Sequence, residues 1–225
     1  MAWDDEWWRI PEGRAADRRG RVPPLKWPGR HGDSPAAMAR QWPVAGRCPL
    51  CDNRAVIVRQ ANPGDTDAIR SLLNALIATT TIEWTETPHT ADSISSWIDE
   101  HETVLVAEEH GEVVGVAAFG DFRDTVKRPG YRFTVENTIH VREDRWNSGV
   151  GRDLMGALIA EAREAGKHTM IAAIDGENEG SIRFHQRLGF VEVARMPELG
   201  AKFGRWLDLV LLELRLDDRS QPPDR

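Results

Sequence analysis

Residues 134–158, TVENTIHVREDRWNSGVGRDLMGAL, restrict the fold more than any other stretch of this chain. Thr134 to Val141 is rich in β-branched residues and reads as a strand. Arg142 to Ser148 is polar and reads as a loop. Gly149-Val150-Gly151 follows, and Val150, Leu154, Leu158 and Ile159 are spaced for one face of a helix. A strand, a glycine turn and a helix start therefore succeed one another without a gap. Glycines let a ligand approach the main chain, and the unpaired N–H groups of a helix start suit a phosphate. The joint reads equally as a diphosphate cradle beside a strand bearing a carboxylate, Glu136, or as an ordinary strand–loop–helix connection.

Elsewhere the chain falls into unequal parts. Residues 1–54 hold seven of thirteen prolines, five of nine tryptophans, and ten Lys/Arg against seven Asp/Glu. No period persists there, so the segment reads as an irregular extension, disordered or arising from a start assigned too early. Cys48 and Cys51 have the spacing of half a zinc knuckle, but four ligands are needed, so incidental thiols are the simpler reading and no metal is expected. The remaining residues carry nineteen basic and twenty-nine acidic side chains, an unfavourable balance for nucleic acid. No apolar run nears the roughly 18 residues of a membrane span, and the N-terminus lacks the apolar core of a secretory signal. A cytoplasmic protein is expected.

From about residue 55 to 217 the pattern is regular. Val56 to Arg59 reads as a short strand. Asp65 is placed to cap a helix with Ile69, Leu72, Leu73, Leu76 and Ile77 inward. Thr90 or Asp92 starts a second helix with Ile94, Trp97 and Ile98 inward. Thr103–Glu108 and Glu112–Gly120 read as a hairpin turning at His110-Gly111. After the organising segment come a buried strand, His168–Ile174, and a short helix, Ser181–Leu188, stopped by Gly189. Phe190–Ala194 and Trp206–Leu216 read as the last strands, and residues 218–225 as a frayed tail. This order predicts one mixed α/β domain of ordinary size.

Four stretches, in order, carry a resemblance. Tyr131 to Val141 is similar to an aromatic-rich strand containing a TVE triplet. Trp146-Asn147-Ser148-Gly149-Val150-Gly151 resembles a Gln/Arg-x-x-Gly-x-Gly/Ala loop. Asn178-Glu179-Gly180-Ser181 with His185-Gln186-Arg187-Leu188-Gly189-Phe190 resembles an N-x-x-S…H-x-x-L-G-F/Y signature, and Lys202 to Asp208 a K-x-G-x-W-x-D segment. Together they resemble the GNAT N-acetyltransferases, and within them the phosphinothricin and methionine sulfoximine acetyltransferases, over about three quarters of the chain. One departure stands out: Trp146 occupies the position usually held by Gln or Arg.

The resemblance implies a mixed, mostly antiparallel sheet whose central parallel strands splay apart, with acetyl-CoA as co-substrate and a small amine as acceptor. It implies that Ile139, His140 and Val141 offer main-chain groups to the pantetheine arm. Residues 146–152, from Trp146 through Asn147, Ser148, Gly149, Val150 and Gly151 to Arg152, would hold the diphosphate, with Asn178 and Ser181 nearby. Glu136 becomes the candidate general base, although alternation alone leaves its face open. His185 would protonate the departing thiolate or orient the acyl group; a helix-surface histidine is the plain alternative. Arg123, Arg132 and Lys202 would meet the acceptor's anionic groups. Relatives of this kind commonly dimerise. A different amine (a polyamine, an antibiotic or a protein N-terminus) and a non-catalytic acetyl-CoA-binding module are the competing readings.

Overall fold

The computed structural model describes residues 56–223; the expectations for residues 1–54 lie outside the described residues. Seven strands and four α-helices alternate in it. They are β1 (Ile57–Gln60), α1 (Thr66–Thr79), α2 (Ala91–Glu100), β2 (Thr103–Glu109), β3 (Glu112–Asp121), β4 (Thr134–Val141), α3 (Val150–Glu164), β5 (Thr169–Asp175), α4 (Glu179–Arg187), β6 (Val191–Lys202) and β7 (Arg205–Arg215). They form one sheet in the order β1-β2-β3-β4-β5-β7-β6. Every neighbouring pair is antiparallel except β4 and β5.

Both faces of this sheet are covered, which explains the unbroken apolar run of β2. Leu105 and Ala107 point into a core shared with Leu154, Met155 and Leu158 of α3. Val104 and Val106 point the other way, into a core with Ile69, Leu72, Leu73 and Leu76 of α1 and Ile94 of α2. The inward face predicted for α1 is thus buried residue for residue, each such side chain contributing about 1.5–3 kcal/mol.

Two local expectations are corrected. Asp65 does not cap α1 with its side chain. The side-chain cap belongs to the 3-10 turn just before it, Pro63–Asp65, where Asn62 accepts from the Gly64 N–H, while the Asp65 carboxylate accepts from the Asn62 N–H and binds the Arg59 guanidinium at 2.7 Å. The Asp65 carboxyl accordingly sits below the usual range, held there first by its bond to Arg59. Second, β6 runs on to Lys202 rather than ending at Ala194, because two register irregularities let it stay paired with β7. Within the tail expected to fray, the Arg219 guanidinium binds Asp217 and the Gly166 carbonyl.

The central parallel pair sets the site. β4 and β5 pair from Thr134↔Thr169 to Asn137↔Ala172 and no further. β4 continues four residues beyond that point, its other edge still bonded to β3, and β5 continues three. The strands part at Asn137, leaving a wedge whose walls are main chain. The Arg142 N–H bonds the Val114 carbonyl, and Phe133 offers its carbonyl to His168 and Thr169. Alternation along β4 therefore turns Ile139 and Val141 toward the wedge and His140 toward β3.

Candidate active site

Side chains of β4 leave the strand on alternate faces, and this divides the site into two halves. Val135 belongs to the core under α3, and Asn137, Ile139 and Val141 share its face. Glu136, Thr138 and His140 lie on the opposite face, toward the segment after α1. A cleft of about 150 Å³ joins the halves through the wedge, touching Glu83, Glu136, Asn137, His140, Asp175 and His185. Next to it a more open hollow of about 340 Å³ lies among Thr79–Ile82, Trp146, Asn178, Phe203 and Arg205.

On the α3 face the predicted strand–loop–helix joint is present. Gly149 is the N-cap of α3 with φ of +102°, a conformation costly for any residue with a Cβ, and a Cβ added there would meet nothing within 4 Å. An open space faced by the first N–H groups of a fifteen-residue helix fits a diphosphate. Gly151 has a milder role, since its added Cβ would make ordinary contact with Phe184 at 3.5 Å. The loop is braced from within by Ser148 Oγ, which donates to the Arg145 carbonyl, and tied to the end of β2 by Arg145 Nε, which donates to the buried Glu109 carboxylate at 2.5 Å. Asn147 takes a positive φ of 60°, as asparagine tolerates. Arg152 stands on the exposed side of the first turn of α3.

Trp146 does something the motif did not foretell. Its indole N–H donates to the Val141 carbonyl at 2.8 Å, so one of the two wedge-facing carbonyls expected to serve the coenzyme is already bonded. Asn178 caps α4, its Oδ1 accepting from the Ser181 N–H at 3.0 Å, and it lines both hollows. His185 is 2 % exposed and its Nδ1 lies 2.9 Å from the Ser181 carbonyl.

The opposite face holds the acid–base groups. Burial pushes the Glu136 carboxyl above the usual carboxylate range, and Arg123 partly offsets this. Of the predicted substrate-side cations, Arg123 is therefore brought within electrostatic reach of Glu136. Arg132 is not: it folds onto the Phe133 ring and the Pro129 carbonyl before β4 begins. Lys202 is 2 % exposed and donates to the carbonyls of Ile77, Thr80 and Glu83 at 2.7–2.8 Å. An ammonium has three N–H donors, and all three are spent on the chain leaving α1, so its contact is with main chain rather than with a substrate anion.

His140, expected beside the coenzyme, has its side chain on the acid–base face instead. Its Nε2 lies 2.8 Å from Glu83 Oε1, close enough for an ion pair though not aligned as an in-plane hydrogen bond. Burial pushes the Glu83 carboxyl up, but His140, His89 and Lys202 together outweigh this and hold it low. The segment Thr80–His89 that carries Glu83 follows no period, and only its tryptophan marks it in the sequence. Trp84 lies so close over Gly200 that an added Cβ would fall 2.2 Å from its ring.

Comparison with known proteins agrees with this geometry. The profile of the Acetyltransferase (GNAT) family matches residues 69–190. The chain belongs to the GNAT acetyltransferase family. It is 42% identical over 169 residues to the L-amino acid N-acyltransferase MnaT of Escherichia coli (strain K12), covering 73% of this chain and 96% of that protein. It is 40% identical to an L-methionine sulfoximine/L-methionine sulfone acetyltransferase of Salmonella typhimurium, covering 73% and 97%. Among solved structures, a GNAT phosphinothricin acetyltransferase of Sinorhizobium meliloti, in complex with acetyl-CoA, superposes with a TM-score of 0.71 at 28% identity, over 75% of this chain and 93% of that one. The expected fold class and family are thus confirmed for this GNAT member. Among the described residues no helix is long and apolar enough to cross a membrane, and no cluster of His, Cys, Asp or Glu could hold a metal ion.

Proposed function

We propose that this GNAT acetyltransferase moves the acetyl group of acetyl-CoA to the primary amine of a small amino-acid-like acceptor, with Glu136 as general base. The observation that carries the reading is the parting of β4 and β5 at Asn137, which opens a passage between the phosphate-binding turn on one face and a carboxyl of raised pKa on the other. The co-substrate supplies an activated acyl carbon. The chain's part is to hold that carbon in the wedge by main-chain groups of Ile139 and the N–H of Val141, whose carbonyl Trp146 occupies, and to strip a proton from the incoming ammonium. An ammonium has no lone pair, so the N–C bond forms only after Glu136 takes the proton. As that bond forms, the C–S bond breaks, and the second proton lost by the nitrogen as it becomes an amide passes to the departing thiolate, so the coenzyme leaves as its thiol.

The acceptor class follows from charge and from relatives. L-Methionine sulfoximine, L-methionine sulfone and phosphinothricin appear in the names of similar enzymes, and each bears a carboxylate that Arg123, beside Glu136, can meet. A second reading has specific support: Glu83, Glu136 and Asp175 give the cleft an acidic lining that suits a polyamine. Thiol release from acetyl-CoA, measured with the three amino acids, spermidine, an aminoglycoside and an unblocked peptide, separates the two. Turnover with the amino acids is expected to exceed the rest at least tenfold. Preference for spermidine would replace the acceptor assignment, and no thiol release with any amine would return the chain to an acetyl-CoA-binding module.

A further inference from the structure

Asn137 stands where β4 and β5 part, and it is 7 % exposed. Its amide nitrogen lies 3.3 Å from His185 Nε2 and 3.9 Å from Met155 Sδ, while its oxygen has no partner among the described residues. A buried carboxamide oxygen without a donor is uncommon in folded proteins and calls for a reason.

The orientation of this amide follows from its neighbours. His185 Nδ1 faces the Ser181 carbonyl at 2.9 Å, and a carbonyl can only accept, so Nδ1 carries the proton. Burial holds the ring's pKa down, so the ring is neutral and Nε2 presents a lone pair. A lone pair needs a donor, and the amide nitrogen of Asn137 is the one in reach. Turning the amide over would set its oxygen against that lone pair. The network Ser181–His185–Asn137 thus fixes nitrogen inward and leaves the oxygen as an acceptor in the wall of the wedge.

We propose that Asn137 is a coenzyme-positioning residue: its Oδ1 accepts the N–H of the coenzyme amide nearest the thioester, and His185 keeps the carboxamide turned for it. This rests on the acetyl-CoA reading above. The thioester carbonyl offers only acceptors, so an oxygen cannot serve it directly; the nearest donor along the arm is that amide. Asn137 also lies on the face of β4 shared with α3 and its phosphate turn, while the acceptor's acid–base groups lie on the other. His185 then acts through Asn137, and its proton stays on the nitrogen pointing away from the wedge.

Calorimetry with the full chain tests this, using acetyl-CoA and an analogue in which an ester oxygen replaces that one N–H. The wild type is expected to bind acetyl-CoA about tenfold more tightly than the analogue, as one hydrogen bond to a buried acceptor would give. Asn137→Leu, similar in size and unable to accept, should bind the two alike, and His185→Phe should shrink the ratio with folding checked by circular dichroism. Equal binding of both compounds by the wild type overturns the proposal without any variant. So does Asn137→Leu that keeps the tenfold ratio while raising the acceptor KM, which would move Asn137 to the acceptor. Absence of heat from acetyl-CoA itself would overturn the coenzyme reading as well, and so distinguishes the two failures.

Discussion

The two halves of the site are built by opposite means. The half proposed to hold the coenzyme is built mainly on one stretch: β4, its loop and the start of α3 span Thr134 to Gly151, with short-range braces at Trp146 and Ser148 and two longer ties, Arg145 to Glu109 and Asn137 to His185. The acceptor half is stitched together across the chain. Lys202 reaches back 119–125 residues to fasten Ile77, Thr80 and Glu83, the Phe203 N–H binds Glu86, and Trp84 lies over Gly200.

The largest expected effect falls where the halves meet. Glu136→Gln keeps shape and removes the proton acceptor, so kcat should fall about 10²–10⁴-fold while acetyl-CoA affinity holds. Pre-steady-state and calorimetric measurements on one preparation check both. Unchanged turnover at saturating acceptor would strike Glu136 from the mechanism.

Lys202→Met should break the acceptor half alone. It leaves three carbonyls without their shared donor, at a cost of about 2–4 kcal/mol in unfolding free energy, and frees the segment bearing Glu83. The acceptor KM should rise at least tenfold, with acetyl-CoA affinity within about twofold of wild type. Equal losses for both ligands would show that the halves are not separable.

The mirror experiment is Gly149→Val. A β-branched residue at φ of +102° costs about 1–2 kcal/mol or more, and it places methyl groups in the open space at the helix start. Acetyl-CoA affinity should fall about tenfold or further, while the acceptor KM, measured at saturating co-substrate, stays near wild type.

The same contrast explains what the sequence disclosed. The strand, turn and helix from Thr134 to Glu164 were legible because their signals are short-range: β-branched residues, a turn glycine, and a 3.6-residue apolar period. The sheet was legible for the same reason, down to the inward residues of α1. Asp65 misled because a short acidic residue before a helix looks like a cap whether it bonds the helix or an arginine. Lys202 and His140 misled because their partners are far away in the chain, and no period announces a contact across more than a hundred residues or between a loop and a strand 57 positions on. Trp146 was visible as a departure, but its bond to Val141 depends on how the loop folds back.

The smallest expected effect concerns pH, and it sharpens the boundary between the halves. Glu136 must be ionised to take a proton, and burial raises its folded-state pKa, so the acidic limb of kcat/KM should lie above the ordinary carboxylate range. Arg123 pulls that pKa down; Arg123→Ala should therefore move the limb further up, and only slightly, because the arginine is exposed and screened. Stability should carry the same signature with its own sign. A carboxyl whose pKa is raised on folding favours the native state most at low pH, below its unfolded value, and that contribution is lost as pH rises through the folded value. Glu136→Gln, which cannot ionise, should gain Tm relative to wild type at pH 7 and not at pH 4. Coenzyme affinity should show no matching step in this range, since the phosphate turn meets its ligand with main-chain N–H groups that do not titrate. A step shared by coenzyme binding and turnover would mean that Glu136 speaks to both sides of the wedge.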